Sequence, residues 1–311
     1  PVMFKHASIV PRCAEMFEAL CKQAGAPEGC VTNLRISSDK VAALIEDDRI
    51  QGVALTGSEG AGSKVASKAS EHLKKSTLEL GGSDVFVVLD DADLEKAVAA
   101  GVEGRLSNAG QVCTGSKRFI VQKAVAEAFI EGFVNGMKDA TLGDPLDEDT
   151  VLGPLSSEDA LKTLTEQVDA AIKQGARALT GGQRSDRTGF FYEPTVLTDI
   201  SRDNPAYYQE FFGPVAQVFV VEDDDAVVAQ ANDSHFGLGG SIFSADTDRA
   251  RRLASRIETG MVFINTTTTS MPELPFGGLK RSGFGRELGD VGIKEFVNRK
   301  LVVISKEEAS S

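Results

Sequence analysis

Short apolar runs alternate with amphipathic stretches along most of the chain, the pattern of βαβ units around a mainly parallel sheet. Pro1-Val2-Met3-Phe4 reads as a buried strand. Cys13, Met16, Phe17, Leu20 and Cys21 then recur at helical spacing, with Gly25 as the stop. The spacing predicts a second helix over 38–46, a strand over 50–56, a turn at Gly57-Ser58 and a long helix to about Lys75. Val85-Phe86-Val87-Val88-Leu89 has no polar position, as suits a strand buried on both faces. Helices are predicted over 92–106, 125–138 and 157–173, the last opening on Ser156-Ser157-Glu158-Asp159, which resembles a capping box. Strands are expected over 119–122, 215–221 and 261–265. Leu301-Val302-Val303-Ile304 is a final strand-like run before a polar tail; an unpaired apolar strand is an edge hazard, so pairing with another subunit is expected. The fold class is therefore α/β. Domains seldom begin inside an interior strand and there is no initiator Met, so the chain reads as truncated or processed.

Composition narrows the partners. A chain of 311 residues has room for roughly two domains. Its 33 basic residues stand against 46 acidic ones, a net charge of -13 that repels phosphate backbones and argues against nucleic acid. No stretch approaches the ~20 apolar residues needed to cross a bilayer. No secretory leader is evident, and a reducing cytoplasm is the expected setting. Cys13, Cys21, Cys30 and Cys113 form no CxxC pair and have no histidine cluster beside them, so no metal site is expected. Cys13 and Cys21 fall at apolar helix positions, where cysteine usually acts as a small buried hydrophobe.

Leu55-Thr56-Gly57-Ser58-Glu59-Gly60-Ala61-Gly62 joins a predicted strand to a predicted helix. Glycine there permits close backbone approach, and a helix N-terminus favours a phosphate. GxGxxG is absent, so this is not the usual Rossmann fingerprint, and taken alone it is as readily an ordinary connection. Cys113 lies in the loop Ser107-Asn108-Ala109-Gly110-Gln111-Val112-Cys113-Thr114-Gly115. A lone loop cysteine is more often structural than reactive. Glu79, flanked by Leu78 and Leu80, has the apolar setting that raises a carboxyl pKa toward that of a general base, although taken alone it is more readily a surface glutamate at a strand end. His6, His72 and His235 are far apart and give a cysteine hydrolase little support. Glu210-Phe211-Phe212-Gly213-Pro214 and the stretch from Pro275-Phe276-Gly277-Gly278 to Arg286-Glu287 are glycine-rich and mix acids with aromatics. Alone, the second is as readily a flexible loop, and the first, an acid and aromatics before a turn, is more often core than a cofactor site.

In order, these segments resemble the aldehyde dehydrogenase superfamily over nearly the whole chain. The markers are Lys5, Thr56-Gly57-Ser58, Glu79-Leu80-Gly81-Gly82, Gly110-Gln111-Val112-Cys113, Glu210-Phe211-Phe212-Gly213-Pro214 and Pro275-Phe276-Gly277-Gly278, with Glu79 34 residues before Cys113. The surroundings of Cys113 and Gly277-Gly278 look most like the bacterial succinate-semialdehyde dehydrogenases. The resemblance implies part of a Rossmann-like dinucleotide-binding domain (1–82), an α/β catalytic domain of the aldehyde dehydrogenase fold (83–281), and a C-terminal segment with an oligomerisation strand (282–311). It implies oxidation of an aldehyde, succinate semialdehyde, to its carboxylate with NADP or NAD, and a homodimer or homotetramer.

By the same resemblance Cys113 is the nucleophile, Glu79 activates water and Glu287 assists proton transfer. Lys5 contacts the adenosine ribose, Gly57 and Ser58 the pyrophosphate, Glu210 the nicotinamide ribose, and Phe212 the nicotinamide region. Phe276 lines the aldehyde tunnel. Ser8 stands where NAD-specific members often carry Glu, so NADP is expected to be accepted. Ser107 stands where many succinate-semialdehyde enzymes place an Arg for the substrate carboxylate. Gly115 replaces a second cysteine that serves some relatives as a redox switch, so no disulfide switch is expected. The family's oxyanion Asn lies upstream of these motifs. Two alternatives stay open: a cysteine hydrolase or esterase, and an inactive chain serving as a subunit.

Overall fold

The structure, a computed structural model, describes residues 1–305. The chain divides into two compact units, one of Pro1–Ala54 with Ser63–Ser76, the other of Leu55–Gly62 with Thr77–Ser311. In the first unit β1 (Val2–Phe4) pairs in parallel with β2 (Val31–Asn33), and α1 (Pro11–Gln23) joins them. Gly25, at φ +87°, follows the end of α1, as the sequence predicts. β1 is not the buried strand expected: Val2 and Met3 are exposed. The apolar stripe of α1 is also largely exposed at Met16, Phe17 and Leu20; only Ala14 is buried, and Cys13 is exposed rather than a packed hydrophobe. The predicted helix over 38–46 forms as a 3₁₀ turn, Ser38–Lys40, running into α2 (Val41–Glu46).

β3 (Gly52–Thr56), α3 (Glu59–Glu71) and β4 (Lys75–Glu79) follow. The helix ends before Lys75, which opens β4 instead. The polar start of β4, Lys75-Ser76-Thr77, hid it from a search for apolar runs.

The second unit centres on a seven-stranded sheet. Its elements are β5 (Asp84–Val88), α4 (Leu94–Leu106), β6 (Ser116–Gln122), α5 (Lys123–Lys138), α6 (Glu158–Lys173), β7 (Arg177–Thr180), β8 (Thr195–Thr198), β9 (Val215–Val221), α7 (Asp224–Asn232), β10 (Phe236–Gly237), β11 (Gly240–Phe243), α8 (Thr247–Ala254), β12 (Phe263–Ile264), β13 (Leu279–Lys280), β14 (Gly283–Phe284) and the short α9 (Gly289–Gly292). The sheet order is β12-β11-β5-β6-β9-β8-β7, parallel throughout except for β7. β5 shows why its sequence carries no polar position. Phe86 and Val88 join one core with Phe119, Phe129 and Phe133, while Val85, Val87 and Leu89 join a second core with Val227, Ala250 and Leu253. Alternate side chains leave opposite faces of a strand, and helices cover both.

α6 starts at Ser157, whose side chain accepts the Ala160 N–H. The residue three beyond the cap is Ala160, which cannot return a bond, so this is a single N-cap and not the expected capping box. The expected strand over 261–265 shortens to two residues. Leu301–Ile304 form no strand within the chain and are exposed. The tail from Lys306 to Ser311 lies outside the described residues.

Two loops that carry sequence motifs touch at Gly110, whose φ is +74°, and an added Cβ would collide with the carbonyl of Gly213. Gly110→Ala is therefore expected to lose about 1–3 kcal/mol of stability, read as a lower Tm. An unchanged Tm would show that the two loops do not meet this tightly.

Candidate active site

The loop between α4 and β6 leaves the helix through residues that helices avoid. Asn108, Ala109 and Gly110 have φ of 51°, 55° and 74°, a left-handed run that costs L-residues free energy. Side chains hold it. Asn108 Nδ2 donates to the Gln111 carbonyl at 3.1 Å, Gln111 Nε2 returns a bond to the Asn108 carbonyl at 3.2 Å, and Gln111 Oε1 accepts the Ser156 N–H at 2.9 Å. Cys113 lies half-buried in the turn that follows.

Two buried cations take up the loop's carbonyls. Arg105, fully buried on α4, donates to the carbonyls of Gly110 at 2.6 Å and Ser116 at 3.0 Å. Lys117, buried on β6, donates to the carbonyls of Val112 and Cys113, both at 2.8 Å. Its ammonium also lies 3.1 Å from Glu210 Oε1, which in turn accepts the Gly82 N–H at 3.0 Å. Asp84, buried at the start of β5, accepts the Gly239 N–H at 3.0 Å. Burial pushes its carboxyl up to about 6 despite the positive charge of Lys117. Burial likewise raises the Cys113 thiol; the Lys117 charge and the Thr114 N–H oppose that, while Asp84 and Glu210 add to it.

The Gly81-Gly82 pair explains how the Glu79 segment reaches this loop. A Cβ on Gly81 would run into the Glu210 carboxylate, and one on Gly82 into the Cys113 carbonyl. Glycine is required at 82, where the neighbour is backbone; at 81 it leaves the Glu210 carboxylate in place. Glu79 itself is only 4% exposed, and its Oε2 has no hydrogen-bond partner among the described residues. Desolvation, then the negative charge of Glu287, raise its pKa to about 7, against the opposing charge of Arg286. Gly283 of β14 pairs with Glu79. Phe276 and Glu287 exchange backbone hydrogen bonds at 2.8 and 2.7 Å, which brings the Pro275–Gly278 motif beside Glu287. Gly277, at φ +150°, has no room for a side chain: a Cβ would meet Glu79 Oε1 at 2.9 Å.

The second unit thus links the Cys113 loop to Gly82 and Glu210, and Glu79 to Glu287 and the Phe276–Gly277 segment. Gly57 and Ser58 lie exposed before the first turn of α3, where Ser58 Oγ accepts the Ala61 N–H at 3.3 Å and Glu59 pairs with Arg281. Phe212 is exposed and Phe211 buried. Ser107 is exposed at the end of α4. Lys5 and Ser8 belong to the first unit, where Lys5 Nζ donates to the His6 carbonyl at 2.9 Å and Ser8 is exposed. The histidines are engaged elsewhere: His6 bonds the Ala7 carbonyl, His235 stacks on Tyr208, and His72 lies near Glu46. Sequence reading missed Arg105, Asp84 and Lys117. Asp84 and Lys117 lie in strands whose every residue is buried, and Arg105 on the buried side of a half-exposed helix, so it is the fold that marks all three.

No helix among the described residues is long and apolar enough to cross a membrane. The sequence matches the profile of the aldehyde dehydrogenase family over residues 1–302. It is 50% identical to the succinate-semialdehyde dehydrogenase [NADP(+)] of Deinococcus radiodurans, over 97% of this chain and 63% of that protein. It is 48% identical to the probable succinate-semialdehyde dehydrogenase [NADP(+)] of Synechocystis, over 97% of this chain and 67% of the relative. A crystal structure of succinic semialdehyde dehydrogenase from Streptococcus pyogenes in complex with NADP+ superposes with a TM-score of 0.96 at 48% identity, covering 98% of this chain and 67% of that one. The chain thus spans 63–67% of the length of these relatives. An α/β sheet covered by helices, carrying this ordered set of motifs, places the chain in the aldehyde dehydrogenase family.

Proposed function

We propose that the chain oxidises an aldehyde to its carboxylate through a thioester on Cys113, with succinate semialdehyde as substrate and NADP as the favoured cofactor. The observation that carries this reading is Glu79: a buried carboxyl with an unpartnered oxygen and a pKa near 7, in the segment that packs on the Cys113 loop. A base meant for water needs that combination, whereas a surface glutamate would be solvated and ordinary.

The donor set fits a dinucleotide. Gly57-Ser58 lies exposed at the start of α3, where a pyrophosphate would meet the helix N-terminus, although the Gly57 N–H is itself donated to the Glu79 carbonyl at 3.0 Å. Gly81 leaves room for the Glu210 carboxylate to face a ribose. Phe212 offers an exposed ring to the nicotinamide. Lys5 and Ser8, in the first unit, are assigned to the adenosine end. The protein's own residues then act in sequence. Cys113, as thiolate, adds to the aldehyde carbon, and its backbone N–H donates to the oxyanion. The cofactor supplies the hydride acceptor that turns the resulting thiohemiacetal into a thioester. Glu79 takes a proton from water as the water attacks the thioester carbonyl, releasing the carboxylate and the Cys113 sulfur. Glu287 accepts the proton onward, and Phe276 flanks the aldehyde.

The assignment of 1–82 to cofactor binding, 83–281 to catalysis and 282–311 to subunit pairing forms part of this proposal. Exposed Leu301–Ile304 are the apolar run that a partner strand would cover. A Cys-His hydrolase is the weaker reading, because no histidine is among the groups that act on the Cys113 thiol.

Formation of reduced cofactor at 340 nm from a panel of semialdehydes tests the reaction. NADP should exceed NAD in initial rate, and Ser8→Glu should reverse the order; strict use of NAD would remove the role given to Ser8. Glu79 works in its ionised form, so turnover should rise with pH through about 7, and the raised Cys113 thiol pushes the same way. Glu79→Gln should lower steady-state turnover about 10²–10⁴-fold while keeping a burst of one reduced cofactor per Cys113. Full turnover in that variant would exclude Glu79 as the base. Val303→Asp should lower the mass seen by light scattering, and an unchanged assembly would free the C-terminal run from a pairing role.

A further inference from the structure

Lys117 is a lysine at 1% side-chain exposure in a strand buried on every position, a placement that costs several kcal/mol of desolvation unless its donors are well used. All three are directed at the site: two go to the carbonyls of the nucleophile and its neighbour, and the third faces Glu210. No surface role or sheet-packing need explains that choice. An apolar residue of similar size would fill the same volume and leave both carbonyls bare.

We propose that Lys117 is a positioning residue that joins the cofactor-binding carboxylate Glu210 to the nucleophile loop, so that the charge felt by Cys113 depends on how far Glu210 neutralises the ammonium. This rests on the reading of Cys113 as nucleophile and Glu210 as a ribose contact. The charged groups acting on the thiol are Lys117 on β6, Asp84 on β5 and Glu210 in the segment before β9, and Arg105 on α4 acts on Lys117. Of these, only Lys117 both touches the Cys113 peptide and pairs with Glu210. Arg105 holds the loop further out, at Gly110 and Ser116. Asp84 is fixed by the Gly239 N–H.

The geometry makes the two partners of one ion pair act on the thiol with opposite signs. The Lys117 charge lowers the cost of the thiolate and the Glu210 charge raises it, and the two lie 3.1 Å apart, so each screens the other. When Glu210 turns to hydrogen-bond a ribose, its hold on the ammonium weakens and more of that charge falls on the Cys113 loop. Binding at one end of the site then favours the reactive form of the sulfur at the other. A residue that served packing alone would show neither the opposite signs nor the dependence on cofactor.

The test is the pH dependence of iodoacetamide labelling of Cys113 in the 311-residue chain, read on the Cys113 peptide by mass spectrometry so that Cys13, Cys21 and Cys30 do not contribute. Lys117→Met should move the labelling midpoint upward by about one pH unit, a tenfold loss of thiolate below the midpoint, and Lys117→Arg should restore most of it. Glu210→Gln, which keeps the lysine, should move the midpoint downward, and saturating NADP should move the unsubstituted chain the same way. Circular dichroism checks that each variant folds; if Lys117→Met does not, Lys117→Arg, Glu210→Gln and the NADP comparison decide. Midpoints unmoved by Glu210→Gln, or moved upward, would overturn the proposal. A Cys113 that resists labelling at every pH while the other cysteines react would instead contradict the assignment of Cys113 as nucleophile.

Discussion

The loop that carries Cys113, the proposed nucleophile, must satisfy its own peptide groups without the ladder of a helix or a sheet. Between α4 and β6 that is done by two buried cations. Arg105 and Lys117 between them bind the carbonyls of Gly110, Val112, Cys113 and Ser116. Burying two charges is unfavourable, and here it is offset by those four charge-assisted bonds and by the nearby carboxylates of Glu210 and Asp84. Once the carbonyls are fixed, the left-handed run at Asn108–Gly110 has somewhere to lead. Gly110 can then lie against Gly213, and the Glu210 motif joins the loop. Glycines at 81 and 82 complete the arrangement by letting the Glu79 segment pack on the same backbone.

Electrostatics follow from that packing. Cys113 and Glu79 are both pushed toward their neutral forms by burial, Glu79 to about 7. A carboxyl that titrates near 7 can take and give a proton at that pH without a large penalty, as the water-activating role proposed for Glu79 requires, whereas burial holds the Cys113 thiol toward its protonated form. Asp84 and Lys117 titrate away from their ordinary values in the same pocket, so the site works as a coupled set of charges and not as an isolated pair.

The β5 run and the helices beside it were legible because both faces of the sheet are covered, which leaves no polar position to blur the pattern. The roles proposed for Cys113 and Glu79 rest on the ordered motifs; each residue alone has an ordinary structural explanation. Lys117 was not legible, since a lysine next to Arg118 in sequence reads as a solvated edge, and only the fold shows which carbonyls it meets. β4 was hidden by its polar start. At α1 and β1 the apolar pattern is real, but burial did not follow from it: Met16, Phe17 and Leu20 remain exposed in the described chain. Periodicity reports which face seeks a partner and is silent about which segment provides one.

The central claim is that Cys113 carries the acyl group which Glu79 helps to release. The most direct measurement is peptide mass spectrometry of the Glu79→Gln chain quenched in acid after mixing with succinate semialdehyde and NADP. The account predicts a succinyl adduct on the Cys113 peptide that is absent without cofactor and is removed by hydroxylamine. Reduced cofactor formed with no adduct on Cys113, or an adduct on Cys13, Cys21 or Cys30 instead, would contradict it.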